Sequence, residues 1–120
     1  MIHQIIKRKL GVLRVLERTL RLNSLYDFYQ SLLTKKQREY MEMYYFDDFS
    51  LAEISEVANV SRQAIYDTLK RTEQLLESYE ENLSLYKKHS ERRKIIDQLK
   101  IEMQDNEKAS KLLLQLQELS

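Results

Sequence analysis

An all-α protein with a helix-turn-helix head is what these 120 residues predict. Three observations lead there. The chain has no proline and one glycine, so the residues that most often interrupt helices are nearly absent. Apolar residues recur at three- and four-residue spacing, and nowhere do apolar and polar residues alternate long enough to suggest a strand. Helix starts are marked by Ser or Thr followed three residues later by Glu or Gln, the pattern of a reciprocal cap. With 42% apolar residues, a chain of this length can build one modest core.

Residues 1–22 read as a basic amphipathic helix. Ile6, Leu10, Leu13 and Leu20 share one face, and Lys7, Arg14, Arg18 and Arg21 lie on another. Gly11 weakens it by about 1 kcal/mol relative to alanine. Six cations against Glu17 give this stretch +5, so the remaining 98 residues carry −4 of the overall +1. A membrane-surface helix, a nucleic-acid arm and a support helix with a solvated face all fit. So does a loosely docked terminal segment, including one arising from an upstream start codon.

The next helix, 22–33, keeps a 3.6-residue period through Leu22, Leu25, Tyr26, Tyr29, Leu32 and Leu33. Thr34 with Gln37 opens another, running to about Phe46 with Tyr40, Met41, Tyr44 and Tyr45 as its buried face. These tyrosines have helical spacing and no interleaved basic residues, so they read as core rather than as a base-stacking platform. Asp47 and Asp48 end that helix.

The stretch 50–76, SLAEISEVANVSRQAIYDTLKRTEQLL, organises the chain. Ser50 and Glu53 form a second capping box, and Leu51, Ile54 and Val57 a short apolar face. Asn59 suits a left-handed turn. Ser61 caps a new helix carrying Ile65, Leu69 and Leu76. Helix, tight turn and helix within about 20 residues is the helix-turn-helix pattern, with Ile54, Val57, Ile65 and Leu69 expected to be buried at the junction. From Arg62 the pattern runs to about Lys88. Ile65, Leu69, Thr72, Leu76, Tyr79, Leu83 and Tyr86 form a heptad seam on a helix about 40 Å long. Such a seam needs a partner, either the chain's own C-terminal helices or a second subunit.

Lys87, Lys88, Arg92, Arg93 and Lys94 surround Glu91 in a basic run, read either as a solvated junction between helices or as a phosphate-binding patch. Ser90 and Glu91 suit the start of a helix bearing Ile95, Ile96, Leu99 and Met103. A last helix from about residue 107 uses Ala109, Leu112, Leu113, Leu116 and Leu119. The expected organisation is a basic arm 1–21, a helix-turn-helix domain 22–89 with an extended second helix, and a two-helix tail 90–120.

Several function classes recede. Cysteine is absent, which excludes disulfides, thiol catalysis and cysteine zinc sites. His3 and His89 have no second histidine at ligand spacing. No run is long enough to span a membrane, and the basic N-terminus lacks the features of a secretory signal. A cytoplasmic protein without cofactor is expected. With no phosphate loop and no nucleophile–base constellation, catalysis is not.

LAEISEVANVSRQAIYDTLKRTEQLL resembles region 4 of bacterial sigma-70-type factors. The longer stretch from about Leu20 onward, with its LYDFY, LLTKKQ, SLAEI and VSRQAIYD blocks, is similar to the YlxM family of small bacterial proteins. That resemblance implies a helix-turn-helix regulator linked to the signal recognition particle pathway. Residues 1–17 fall outside it. The positions matching the base-reading residues of sigma factors are Arg62, Gln63, Tyr66 and Asp67, with Ala64 in place of a usual charged residue.

Arg62, Gln63, Tyr66, Lys70 and Arg71 avoid the buried positions and are the candidate working strip. Over residues 61–80, however, the net charge is −1, and duplex binders gain most of their affinity by neutralising phosphates. Two readings therefore stand. In one, the strip binds DNA or the particle's RNA, helped by basic patches at Lys7, Arg14, Arg18, Lys87, Lys88, Arg92 and Arg93. In the other, the fold is a protein-interaction module for the particle's GTPase, with Tyr66 as anchor.

Overall fold

The computed structural model describes residues 1–120 as a succession of helices. They are α1 (Ile2–Tyr29), a 3-10 turn (Gln30–Leu32), α2 (Lys35–Met41), a π turn (Glu42–Phe46), α3 (Leu51–Ala58), α4 (Arg62–Leu83), α5 (Leu85–Glu102) and α6 (Glu107–Leu119). They form two compact units, Met1–Asn82 and Leu83–Ser120; the sequence places the corresponding division after residue 89. No helix is long and apolar enough to cross a membrane.

In the first unit, the two helices expected over 1–22 and 22–33 are one. No breaker stands between them, and Gly11 alone does not stop a helix. Only the end of α1 enters the core, through Leu22, Leu25, Tyr26 and Tyr29. The 3-10 turn then changes the angular step per residue, which leaves Leu32 exposed while Leu33 is buried. Leu32 was expected to be inward with its neighbours; the tightened turn rotates it out.

Thr34 and Gln37 form the expected reciprocal cap of α2. Thr34 Oγ1 accepts from the Gln37 amide at 3.2 Å, and Gln37 Oε1 accepts from the Thr34 amide at 2.9 Å. Beyond Met41 the helix widens into the π turn, which shifts the residues after it out of α-helical phase. Tyr40 and Met41 are buried as the periodicity implied, but Tyr44 is exposed and Tyr45 half-buried. Asp48 (φ 58°) makes a left-handed step into α3, a conformation that aspartate tolerates better than most side chains.

The helix-turn-helix closes as its residues dictate. Ser50 Oγ accepts from the Glu53 amide at 3.1 Å, and Glu53 Oε1 accepts from the Ser50 amide at 3.3 Å. Asn59 takes the left-handed turn at φ 56°, ψ 43°. Ser61 Oγ accepts from the Ala64 amide at 3.1 Å and so caps α4. Ile54, Ile65 and Leu69 are buried, but Val57 is 65% exposed. The inward face of α3 centres on Leu51, Ile54 and Ala58, and Val57, one residue before Ala58, points about 100° away.

Helix α4 buries Ile65, Leu69, Thr72, Glu73, Leu76 and Glu80. Its partner within this unit is α1. The Tyr29 and Tyr79 ring centroids lie 5.8 Å apart, and Tyr79 Oη donates to the Leu32 carbonyl at 3.4 Å. The seam does not run on to Tyr86 in one helix. Ser84 sits at φ 54° and separates α4 from α5, and Leu83 is exposed. Ser90 is accordingly inside α5 rather than a cap.

The second unit is a pair of helices. Asn106 Oδ1 accepts from the Ala109 amide at 3.0 Å and starts α6. Lys100 Nζ donates to Gln117 Oε1, and Ser110 Oγ donates to the Met103 carbonyl at 3.3 Å. Of the apolar positions expected inward, Ile96 and Leu113 are buried, while Ile95, Leu99, Met103, Leu112, Leu116 and Leu119 are exposed. Two helices on their own have one facing line each, too narrow to cover a broader apolar arc.

Ile54→Ala removes a fully buried side chain at the junction and should cost about 2–5 kcal/mol in chemical denaturation. Val57→Ala, on the exposed side of the same helix, should stay within about 0.5 kcal/mol.

Candidate nucleic-acid interface

The recognition position in a helix-turn-helix is the start of its second helix, here the first turns of α4. At about 100° per residue, Gln63, Asp67 and Gln74 lie opposite the buried line of Ile65, Leu69 and Leu76. Gln63 Nε2 donates to Asp67 Oδ1 at 2.9 Å. This bond occupies one oxygen of the Asp67 carboxylate. Arg62 is exposed beside it at the helix start.

The other three strip residues divide between two edges. Tyr66 and Lys70 line a groove with Tyr44, Leu51 and Glu73. Arg71 turns to the opposite edge, in a groove with Ala64, Thr68 and Lys36 of α2. Lys70 is held in place. Its Nζ lies 5.6 Å from the centroid of the Tyr66 ring and 3.7 Å from Glu73 Oε2. Arg62 and Arg71 make no ion pair, so they are the two cations of α4's beginning that face solvent unengaged.

The acidic side of α4 is answered by α1. Arg18 Nη2 donates to Glu73 Oε2 at 2.8 Å, and the same carboxylate accepts from Tyr45 Oη. Arg21 grips Glu77 with two bonds of 2.8 Å, from Nε and Nη2. Tyr29 Oη donates to Glu80 Oε1 at 2.6 Å, and Tyr26 Oη, one turn earlier on α1, donates to Glu42 Oε1 at 2.6 Å. Burial, then the bond to a carboxylate, pushes the Tyr26 and Tyr45 phenols far above their ordinary range. Both therefore remain donors at any physiological pH. The hydrogen bonds from Arg21 hold the Glu77 carboxyl below its ordinary value, against a smaller opposing effect of burial.

These contacts use residues 55 and 56 positions apart, which no spacing rule exposes. They also divide the basic patches. Arg18 pairs with Glu73 while its side chain stays 62% exposed; Lys7 and Arg14 lie farther along α1, exposed and without an ion pair. On α5, Lys87, Lys88, Arg92 and Arg93 are exposed. They fan around the helix, with Lys88 and Arg92 one turn apart on one side and Lys87 and Arg93 on others. Lys36 was not singled out from the sequence. Its neighbour across the groove, Arg71, sits 35 residues later, and only the fold joins them. No cluster of three or more His, Asp or Glu side chains forms a metal site.

Capped helices around a left-handed turn, with an exposed Arg-Gln pair opening the second helix, define a helix-turn-helix protein. The chain belongs to the UPF0122 family, described as "Putative helix-turn-helix protein, YlxM / p13 like", whose model matches residues 16–116. A UPF0122 protein of Halalkalibacterium halodurans is 58% identical over 104 residues, covering 87% of this chain and 94% of the relative. One from Oceanobacillus iheyensis is 61% identical over 87 residues, 72% of this chain and 83% of the relative. The UPF0122 protein YlxM of Bacillus subtilis is 61% identical over 85 residues, 71% of this chain and 77% of the relative. The family match contains the whole helix-turn-helix, Lys36, Arg18 and Arg21, and it leaves out Lys7 and Arg14.

The Arg21–Glu77 pair has a pH signature. A carboxyl depressed in the folded state contributes stability that is present above its unfolded value and lost as pH falls through its folded one. Both side chains are about half exposed, so the contribution is that of a screened surface pair, about 0–1 kcal/mol. Glu77→Gln should therefore be slightly less stable than the native chain at neutral pH. The difference should vanish as pH falls through the carboxylate range, and should shrink with added salt.

Proposed function

We propose that this chain is a nucleic-acid-binding regulatory protein that reads bases with the start of α4 and acts in the signal recognition particle pathway. The observation that carries the reading is the fate of α4's carboxylates. Glu73 and Glu80 are buried, Glu77 is paired with Arg21, and Asp67 is bonded to Gln63. The net charge of −1 counted along this helix thus overstates the negative charge offered to a ligand. What remains outward at its beginning is Arg62, Gln63 with the Asp67 it bonds, and Arg71, with Lys70 at the edge.

Arginine and glutamine suit this position. Arginine matches the two acceptors of guanine, and glutamine the donor and acceptor of adenine in the major groove. Lys7 and Arg14 on α1 and Lys87, Lys88, Arg92 and Arg93 on α5 serve in this reading as phosphate contacts. The pathway assignment rests on the family resemblance, and the particle's RNA joins DNA as the partner to test.

One observation favours a second reading, a protein-interaction module for the particle's GTPase. Tyr66 and Val57 are both exposed on the helix-turn-helix, 45% and 65% respectively, and tyrosine is a frequent interface anchor.

Selection of a duplex pool separates the two. Arg62→Ala and Gln63→Ala should each relax base preference by about 1–3 kcal/mol at one position. If Tyr66→Ala instead costs about 2 kcal/mol or more towards the GTPase, with shallow salt dependence, the interaction module is the function. Unchanged binding to every partner by all three variants would remove this surface from consideration.

A further inference from the structure

The edge of the motif that carries Arg71 offers a seat for an anion. A groove of about 340 Å3 runs between α2 and α4, lined by Thr34, Lys36, Gln37, Tyr40, Thr68 and Arg71 among others. No acidic side chain lines it, in a chain with 19 of them. The contrast with two other grooves of this unit is what matters. The groove under Tyr66 includes Asp48, Glu53 and Glu73. The one between α1 and α4 includes Glu73, Glu77 and Glu81. In both of these the cations already have carboxylate partners, Arg18 and Lys70 with Glu73 and Arg21 with Glu77. Lys36 and Arg71 have none, and both are exposed.

We propose that this groove holds a backbone phosphodiester of the bound nucleic acid between Lys36 and Arg71, which adds a phosphate seat to the base-reading role given to α4 and rests on that role. An arginine fork and a lysine ammonium suit a phosphate's oxygens. Thr34 Oγ1 accepts from the Gln37 amide, which leaves its hydroxyl hydrogen to donate. The spacing agrees with a helix end inserted in a duplex groove. Arg71 stands about 14 Å along the axis from Arg62, at 1.5 Å per residue, beyond the depth of about 8.5 Å of the major groove. With Arg62 at the bases, Arg71 therefore comes level with a bordering backbone, and Lys36 meets the same strand from α2. Contacts of this kind set register and carry no sequence information.

The test is fluorescence anisotropy of the full chain with a labelled duplex of randomised sequence, titrated between about 50 and 200 mM salt, with Lys36→Gln, Arg71→Gln and Lys36→Arg beside the native chain. Both neutralising variants should weaken binding several-fold for every sequence alike. Each should flatten the slope of log affinity against log salt by up to about 0.9, the full amount for one lost phosphate contact. Lys36→Arg should keep the slope. Circular dichroism should be unchanged throughout, since both side chains lie at the surface. If Lys36→Gln and Arg71→Gln leave slope and affinity as they were while Arg62→Ala alters base preference, the seat is wrong and the base-reading role stands. If the native chain binds neither this duplex nor the selected one, the base-reading role falls and the seat with it.

Discussion

Helix α4 carries three carboxylates, Glu73, Glu77 and Glu80, on the side it turns to α1, and the head is built around satisfying them. Two of them are buried, and a buried carboxylate without partners is among the most costly features a fold can contain. Arg18, Arg21, Tyr29 and Tyr45 supply the donors. Arg18 meets Glu73, Arg21 meets Glu77 and Tyr29 meets Glu80, so the contacts ascend both helices together, on three successive turns of α4 and between residues 18 and 29 of α1. Apolar packing of Leu22, Leu25, Ile65 and Leu69 would hold the elements together. The polar contacts choose the register.

That register has a consequence for charge. With Glu73, Glu77 and Glu80 directed to α1, Asp67 is the one carboxylate among the first turns of α4 left on its outer side, bonded there to Gln63. The chain reaches a nearly neutral total without presenting a neutral surface. Opposite charges meet at the α1–α4 contact, and the α2 edge of α4 keeps Arg71 without a carboxylate partner. The long-range field of such a protein is weak, so approach to a nucleic acid would rely on short-range contacts more than on steering.

The π turn and the two left-handed residues, Asp48 and Asn59, work on the same problem from the other side. The widened turn puts Tyr45 where it can donate to Glu73 and leaves Tyr44 outside, packed edge-to-face on Tyr45 at 5.0 Å. Asp48 then redirects the chain into α3, and Asn59 turns it into α4, with Ile54, Ile65 and Leu69 all buried. Widened turns of this kind often occur at functional positions. Here it sits directly behind the helix-turn-helix and forms one wall of its Tyr66 groove.

Local chemistry was legible residue by residue. The caps at Thr34, Ser50 and Ser61, the turn at Asn59, the all-helical class and the inward Ile54, Ile65 and Leu69 follow from interactions within four residues or one helical period, and sequence displays those directly. The candidate site residues Arg62 and Gln63 could be placed outside the buried line for the same reason. What needed the fold was everything set by distant partners or by a change of helical phase. Val57 is outside because the core chose the Leu51–Ala58 line. Leu32 and Tyr44 are displaced by a 3-10 turn and a π turn that no periodicity announces. The seam ends at Ser84, where a serine takes a backbone conformation ordinarily left to glycine or asparagine. The pairing of Arg18 and Arg21 with α4, and of Lys36 with Arg71 across a groove, joins residues tens of positions apart. A linear count sees their charges but not which of them cancel, and that cancellation decides which face of α4 is positive.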